Sequence, residues 1–180
     1  NRMRKKSISL PTLLLLLPLL LATAGCVFEP YRETAEFDLV VKPVETKQPV
    51  VVLELRNESA SGVRLHRRLA AGRVTGDPYN RWVLPPGELV ARALTLALSG
   101  GNGAESVILT GSLECFEQDV EAGTFRLAGR IGPAGGAAGR MKRFDISVPV
   151  EGNSAEATAA AASEAVRRLA GELAAGNFKP

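Results

Sequence analysis

Residues 77–101 read DPYNRWVLPPGELVARALTLALSGG, a strand, a sharp turn and a helix in succession. The aromatic-rich segment from Tyr79 to Leu84 is typical of a short strand. Pro85 and Pro86 end this strand and favour the start of a helix, because proline is tolerated at the first helical positions, where its missing N–H is not needed. Apolar residues then recur every three or four positions until Gly100-Gly101, which predicts that the helix ends there. These apolar residues are Leu89, Val90, Ala93, Leu94, Ala97 and Leu98.

Three further strands follow this helix in the sequence. Apolar residues alternate with polar ones in each, as they do in strands that bury one face. The glycine-rich loop at 132–139 joins the last two strands, and without a lysine or Walker spacing it predicts a hairpin tip rather than a phosphate-binding loop. The alternating residues are Val107, Leu109, Leu113 and Cys115 in the first strand, Phe125, Leu127 and Ile131 in the second, and Phe144, Ile146 and Val148 in the third.

The end of the chain predicts an amphipathic, alanine-rich helix. Asn153-Ser154-Ala155-Glu156 resembles a helix N-cap with an acid in the first turn, and Glu164 and Arg168 can pair across one turn. Small residues in the apolar stripe predict that the helix packs closely on the domain's own sheet. The stripe consists of Ala155, Ala159, Ala162, Val166, Leu169 and Leu173.

Three strands are also predicted before the Trp82 segment, at Phe37–Val41, Val50–Leu55 and Val63–Leu69. In the third, the period of two places Arg64, His66 and Arg68 opposite Leu65, on a positive face that would attract an acidic partner. No acid or nucleophile lies near His66 in the sequence, which favours a solvated surface residue over a catalytic base. The whole pattern predicts an α+β single domain, with a mixed or antiparallel sheet and two helices packed on it.

The first 25 residues have the features of an export signal. Arg4, Lys5 and Lys6 precede an apolar run from Ile8 to Ala22 that is broken by two prolines. This run is too short for a transmembrane helix, which needs about 20 apolar residues, and it matches the basic and apolar regions of a signal peptide.

The signal ends in Ala22-Thr23-Ala24-Gly25-Cys26, which resembles the lipobox of bacterial lipoproteins. The resemblance implies cleavage between Gly25 and Cys26, a diacylglycerol thioether on Cys26 and an acyl chain on its amine. Acyl chains contribute about 0.8 kcal/mol per buried CH₂, so they would anchor the protein in a bilayer. The alternative is an ordinary secretory signal that ends in a cysteine by chance. We therefore predict a lipoprotein signal peptide at 1–25, a lipidated tether at 26–36 and the α+β domain at 37–176.

Composition excludes several kinds of function. The chain carries a formal charge of +3, but from Cys26 onward 18 basic residues stand against 19 acidic ones, so nucleic acid is not an expected partner. One histidine and two cysteines are too few for a zinc site or a disulfide framework. Glu114 and Glu117 flank Cys115, which disfavours a catalytic thiolate, and we predict that Cys115 shares the buried strand face of Leu113. This shortage of catalytic groups favours a binding or assembly role over an enzyme.

The order of these features resembles the ABC-type transport auxiliary lipoprotein family, the PqiC-like periplasmic lipoproteins. The resemblance spans nearly the whole chain after Cys26. It is sharpest at Asn80-Arg81-Trp82-Val83-Leu84-Pro85-Pro86-Gly87-Glu88 and at Leu113-Glu114-Cys115-Phe116-Glu117, which leads into Gly123-Thr124-Phe125-Arg126-Leu127.

The resemblance implies a non-enzymatic subunit that works with an MCE-type protein and ABC transporter subunits to move lipids between membranes and support envelope integrity. It implies no catalytic residue and no cofactor beyond the acyl chains, and it leaves a homo-oligomer possible. Val27 is not aspartate, which favours the periplasmic side of the outer membrane. Tyr79, Arg81 and Trp82 have the composition of a partner interface. The alternative is that Trp82 packs under the first helix and fixes the Pro85 turn.

Other envelope roles stay open at this point. A lipoprotein of lipopolysaccharide assembly has a related strand-and-helix layout, and a lipoprotein that activates a cell-wall synthase is a more distant alternative. An envelope hydrolase is the contrasting class, since sequence alone does not exclude a scattered pair of carboxylates.

Overall fold

The computed structural model of the protein describes residues 31–103, 105–135 and 141–175. The predicted signal peptide and its cleavage site at Gly25 and Cys26 lie outside the described residues, as do residues 136–140 of the predicted hairpin tip. The compact unit begins at Thr34, close to the boundary at residue 37 that the sequence predicts.

The described residues form seven strands, two α-helices and a short 3₁₀ helix at Ala70–Gly72. The strands are β1 (Ala35–Phe37), β2 (Val50–Asn57), β3 (Arg64–Arg68), β4 (Val74–Trp82), β5 (Val107–Asp119), β6 (Thr124–Pro133) and β7 (Lys142–Pro149). The helices are α1 (Pro86–Ala97) and α2 (Ala155–Ala174).

All seven of these strands belong to one mixed sheet. Its order is β1-β4-β3-β5-β6-β7, and β2 pairs with β5 outside this path. The β1–β4, β2–β5 and β3–β5 pairs are parallel, whereas β3–β4, β5–β6 and β6–β7 are antiparallel. With its two helices, this sheet confirms the predicted α+β domain.

Both helices contribute to one apolar core on the same face of the sheet. Helix α1 packs on β2, α2 packs on β6 and β7, and the two helices contact each other. All six residues of the predicted α2 stripe are buried, and because three of them are alanines the helix lies close to the strands. The Oγ of Ser154 accepts a hydrogen bond from the backbone N–H of Ala157 at 3.1 Å, which confirms the predicted N-cap.

The opposite face of the sheet carries polar and charged side chains, and neither described helix packs on it. We refer to it as the open face. Four strands, β2, β5, β6 and β7, contribute side chains to it. These side chains include Arg56, Ser112, Cys115, Glu117, Arg126, Arg130, Arg143 and Asp145.

A β-bulge in β5 changes which residues point to each face. Leu113 lies opposite Gly129 and Cys115 lies opposite Ala128, so Glu114 is an extra residue in β5. Because the bulge reverses the alternation, Phe116 rather than Cys115 shares the core face with Leu113. The prediction that Cys115 packs beside Leu113 is therefore wrong.

Candidate functional site

Trp82 belongs to the core. Its side chain is 2% exposed, and its ring lies 5.1 Å from that of Phe116 at an angle of 58°. Phe116 in turn meets Phe125 edge-on at 4.9 Å, so three aromatic rings form a continuous chain across β4, β5 and β6. Of the two positions that the sequence leaves open for Trp82, the structure therefore shows the core one, and the buried indole offers no surface to a partner.

Tyr79 and Arg81 remain partly accessible on β4. The guanidinium of Arg81 donates from both Nε, at 3.0 Å, and Nη2 to one carboxylate oxygen of Glu36. Glu36 lies directly opposite Arg81 in the parallel β1–β4 pair. The ion pair therefore reinforces the attachment of β1, whose first two residues lie within the segment 26–36 that the sequence predicts as a tether. Sequence reasoning missed Glu36 because nothing local in the chain indicates a parallel partner 45 residues away.

A groove of about 490 Å³ runs between the segment after β1 and helix α2. Phe37 and Val40 form one side and Ala159 and Ala160 form the other, so most of its lining is apolar. Ser163 closes one part of it, where its Oγ accepts a hydrogen bond from the backbone N–H of Val40 at 3.1 Å. Asp38 and polar side chains of α2 form the rest of the rim, so the apolar part of the groove can accept an apolar side chain or an acyl chain.

Cys115 lies on the open face beside a buried acid. Its Sγ is 3.7 Å from Glu117, and Glu117 forms an ion pair with Arg68 at 2.5 Å. Burial, followed by the negative charge of Glu117, raises the pKa of the Cys115 thiol to about 12. The thiol is therefore protonated at neutral pH and is a poor nucleophile.

His66 makes a local contact with its own strand. Its Nδ1 lies 2.8 Å from the backbone carbonyl of Arg64, and because a carbonyl only accepts, Nδ1 is the protonated nitrogen. No group of three or more His, Cys, Asp or Glu residues in the described ranges is arranged to hold a metal ion. No helix in that part of the chain is long and apolar enough to cross a membrane.

Two solved structures resemble this fold. Protein XCC0632 from Xanthomonas campestris, of the family DUF330, has a TM-score of 0.59 at 18% identity, over 78% of this chain and 91% of its own. An uncharacterized protein has a TM-score of 0.58 at 9% identity, over 80% of this chain and 98% of its own. At these identities the likeness shows the fold alone. No family model matches the sequence, and no curated protein matches it.

Proposed function

We propose that the chain is a membrane-anchored, non-enzymatic auxiliary lipoprotein of an ABC/MCE-type system that transports lipids between membranes and supports envelope integrity. The observation that carries this proposal is the sequence Ala22-Thr23-Ala24-Gly25-Cys26 directly after a basic and apolar leader. Acylated Cys26 would hold the domain on the periplasmic side of the outer membrane. The tether between Cys26 and β1 reaches at most about 30 Å when fully extended, so the domain would work close to that membrane.

The chemistry of the described domain supports a binding role. The Cys115 thiol is held in its protonated form. It is therefore not prepared for nucleophilic catalysis.

The apolar groove between the segment after β1 and α2 supports contact with a transport partner or its lipid. Phe37 and Val40 line it and lie just after the point where the tether joins the domain. A partner that occupies this groove would bind next to the anchored end of the chain. Transport of lipid, rather than another envelope role, is supported by the resemblance at Asn80–Glu88, whose strand, double proline and helix start are present in the fold.

The anchor is tested by palmitate labelling and mass spectrometry of the protein produced in a bacterial envelope. Wild type should incorporate label and begin at an acylated Cys26, and Cys26→Ala should not. Cys115→Ala is the matched control, because the chain contains two cysteines and this variant should keep the label. Label on Cys26→Ala, or an unmodified Cys26 thiol in wild type, would contradict the proposal.

The transport role is tested separately by capture from detergent-solubilised envelopes. We expect an MCE-type protein and ABC subunits to co-purify with the tagged wild type, and their genes to lie beside this one. Recovery of a lipopolysaccharide-translocating barrel or a cell-wall synthase instead would replace the proposal with one of those roles. Turnover of a lipid or a glycan by the purified protein would replace it with a hydrolase.

A further inference from the structure

A row of arginines crosses the open face of the sheet. Arg56 on β2 lies directly opposite Ser112 on β5, Ser112 lies opposite Arg130 on β6, and Arg130 lies opposite Arg143 on β7. We call Arg56, Arg130 and Arg143 the arginine row. Neighbouring strands are about 4.8 Å apart, so Arg56 and Arg130 are separated by roughly 10 Å and Arg143 lies about 5 Å further on.

In the described domain, two of the three guanidiniums of the row have an acid nearby but no hydrogen-bond acceptor. Arg130 and Arg143 are like charges directly opposite each other, an arrangement that destabilises a sheet. Glu114 lies 2.9 Å from Arg130 and 3.7 Å from Arg143, and Glu58 lies 3.8 Å from Arg56. The two longer contacts exceed hydrogen-bond distance, so in the described ranges Arg56 and Arg143 attract a carboxylate without donating to it. Three further acids lie on this face: Glu54, two residues before Arg56 on β2, Glu117, which pairs with Arg68, and Asp145, which accepts two hydrogen bonds from Arg126.

The bulge in β5 contributes to this arrangement. Glu114 is the extra residue of the bulge, and there it reaches both Arg130 and Arg143. One carboxylate therefore holds two guanidiniums in place without neutralising both. Bulges often redirect a side chain at a functional site in this way.

A groove of about 470 Å³ lies over the row. The small side chain of Ser112 leaves a gap between Arg56 and Arg130. The side chains of the three arginines are 59–72% exposed, so a partner can reach all of them at once.

We propose that the arginine row binds an acidic segment of a protein partner, with its carboxylates paired to guanidiniums that lack a hydrogen-bond acceptor in the described domain. Guanidinium forks bind carboxylates in a bidentate manner. On a helix laid across the strands, acids at i and i+3 or i+4 are about 6 Å apart and acids at i and i+7 about 10.5 Å apart, which matches the spacing of the row. The inference holds independently of the transport role.

The groove fits an acidic peptide better than an anionic lipid. A phospholipid headgroup generally brings one phosphate, whereas the row presents three cations over about 15 Å. Met141 is the one large apolar residue among those that line the groove, so the described lining gives acyl chains little to pack against.

The test uses the purified full-length protein and a fluorescein-labelled alanine–glutamate peptide of about 15 residues, long enough for a helix, with its glutamates on one face. Fluorescence anisotropy at low salt measures its affinity. We expect R56Q/R130Q/R143Q to weaken binding at least about tenfold, because charge-assisted contacts are lost. R73Q/R92Q/R167Q removes the same charge from exposed positions elsewhere and should stay within about twofold of wild type.

A second variant tests the row without removing its arginines. Glu114→Gln releases Arg130 and Arg143 from their shared carboxylate and should tighten peptide binding several-fold, whereas Glu172→Gln on α2 should change it little. Circular dichroism confirms that each variant is folded. Equal affinities for the two arginine triples, or no tightening in Glu114→Gln, would overturn the proposal. Row-dependent binding of phosphatidylglycerol vesicles in place of the peptide would overturn it in favour of a lipid site.

Discussion

Replacing Trp82 with alanine should lower the free energy of unfolding by about 3 to 5 kcal/mol, because truncation of a fully buried aromatic side chain leaves a cavity in addition to the lost transfer energy. Trp82 is 2% exposed and its ring packs against Phe116. This aromatic contact contributes about 0.5 to 1.5 kcal/mol beyond simple burial. A loss of this size is a large fraction of the free energy of unfolding of a typical domain, which is about 5 to 15 kcal/mol.

Trp82→Phe separates packing from hydrogen bonding. In the described domain the indole Nε1 is buried and has no hydrogen-bond partner. Phenylalanine removes this unsatisfied donor, which should stabilise the folded protein. It also fills less volume than tryptophan, which should destabilise it. We expect the two effects to offset each other, so that Trp82→Phe costs less than about 1.5 kcal/mol.

Urea unfolding followed by circular dichroism compares wild type and the two variants. In wild type the same transition can be followed by fluorescence, since the chain contains a single tryptophan and its emission should shift to longer wavelength as the indole reaches water. A double-mutant cycle with Phe116→Leu should give a coupling energy of about 0.5 to 1.5 kcal/mol. The reasoning would be refuted if Trp82→Ala unfolded at the wild-type urea concentration, or if the folded protein already showed the emission of a solvated indole.

Three further predictions test other parts of the fold. A Cβ on Gly87 would lie 2.1 Å from the carbonyl oxygen of Leu55, so Gly87→Ala should destabilise the protein by about 1 to 3 kcal/mol in urea unfolding. Gly171→Ala, with nothing within 4 Å of the new Cβ, should instead stabilise α2 by about 0.5 to 1 kcal/mol, and the reverse order would contradict the packing. Because the pKa of Cys115 is raised to about 12, iodoacetamide near pH 8 should alkylate it at least about 100-fold more slowly in the folded than in the urea-unfolded chain, and equal rates would show an accessible thiolate. Hydrogen bonds from Arg167 and then Arg168 lower the pKa of Glu164 to about 2. The contribution of Glu164 to stability is therefore complete above its unfolded pKa of about 4.3 and is lost as the pH falls towards 2. Glu164→Gln should remove that part of the acid destabilisation, at most about 1 kcal/mol for this solvent-accessible group, and an unchanged pH profile of stability would refute the pairing.

The local features of the fold follow from the sequence because neighbouring residues determine them. Helix α1 starts at Pro86, as the double proline predicts, and α2 begins after the Ser154 cap. Glu164 pairs with Arg168 at 2.9 Å, the one-turn contact that the spacing predicts. In each case the interacting groups lie within one helical turn, so no tertiary information is needed.

The features that sequence reasoning missed depend on strands far apart in the chain. A prediction from alternation assigns residues of one strand to the two faces of the sheet in turn. A bulge such as that at Glu114 breaks this order, and it is recognised only from the pairing with the neighbouring strand. The sequence left Trp82 open between a core and an interface position, because the same residue types occur in protein interfaces and in cores. Acylation of Cys26 stays a prediction, and it comes from a local motif rather than from the fold.

The position of the arginine row within the sheet separates it from the end of the domain that would carry the proposed anchor. The tether joins β1 at one edge of the sheet, whereas the row runs from β2 across β5 and β6 to β7 at the other edge. Since β2 lies on the same side of β5 as β3, the row is two to five strand spacings from β1, about 10 to 24 Å at the usual interval. An acidic partner on the row and the attachment through Cys26 therefore use different parts of the domain. Cys26→Ala should bind the acidic peptide as wild type does, and R56Q/R130Q/R143Q should still be acylated, so the two proposals can fail independently.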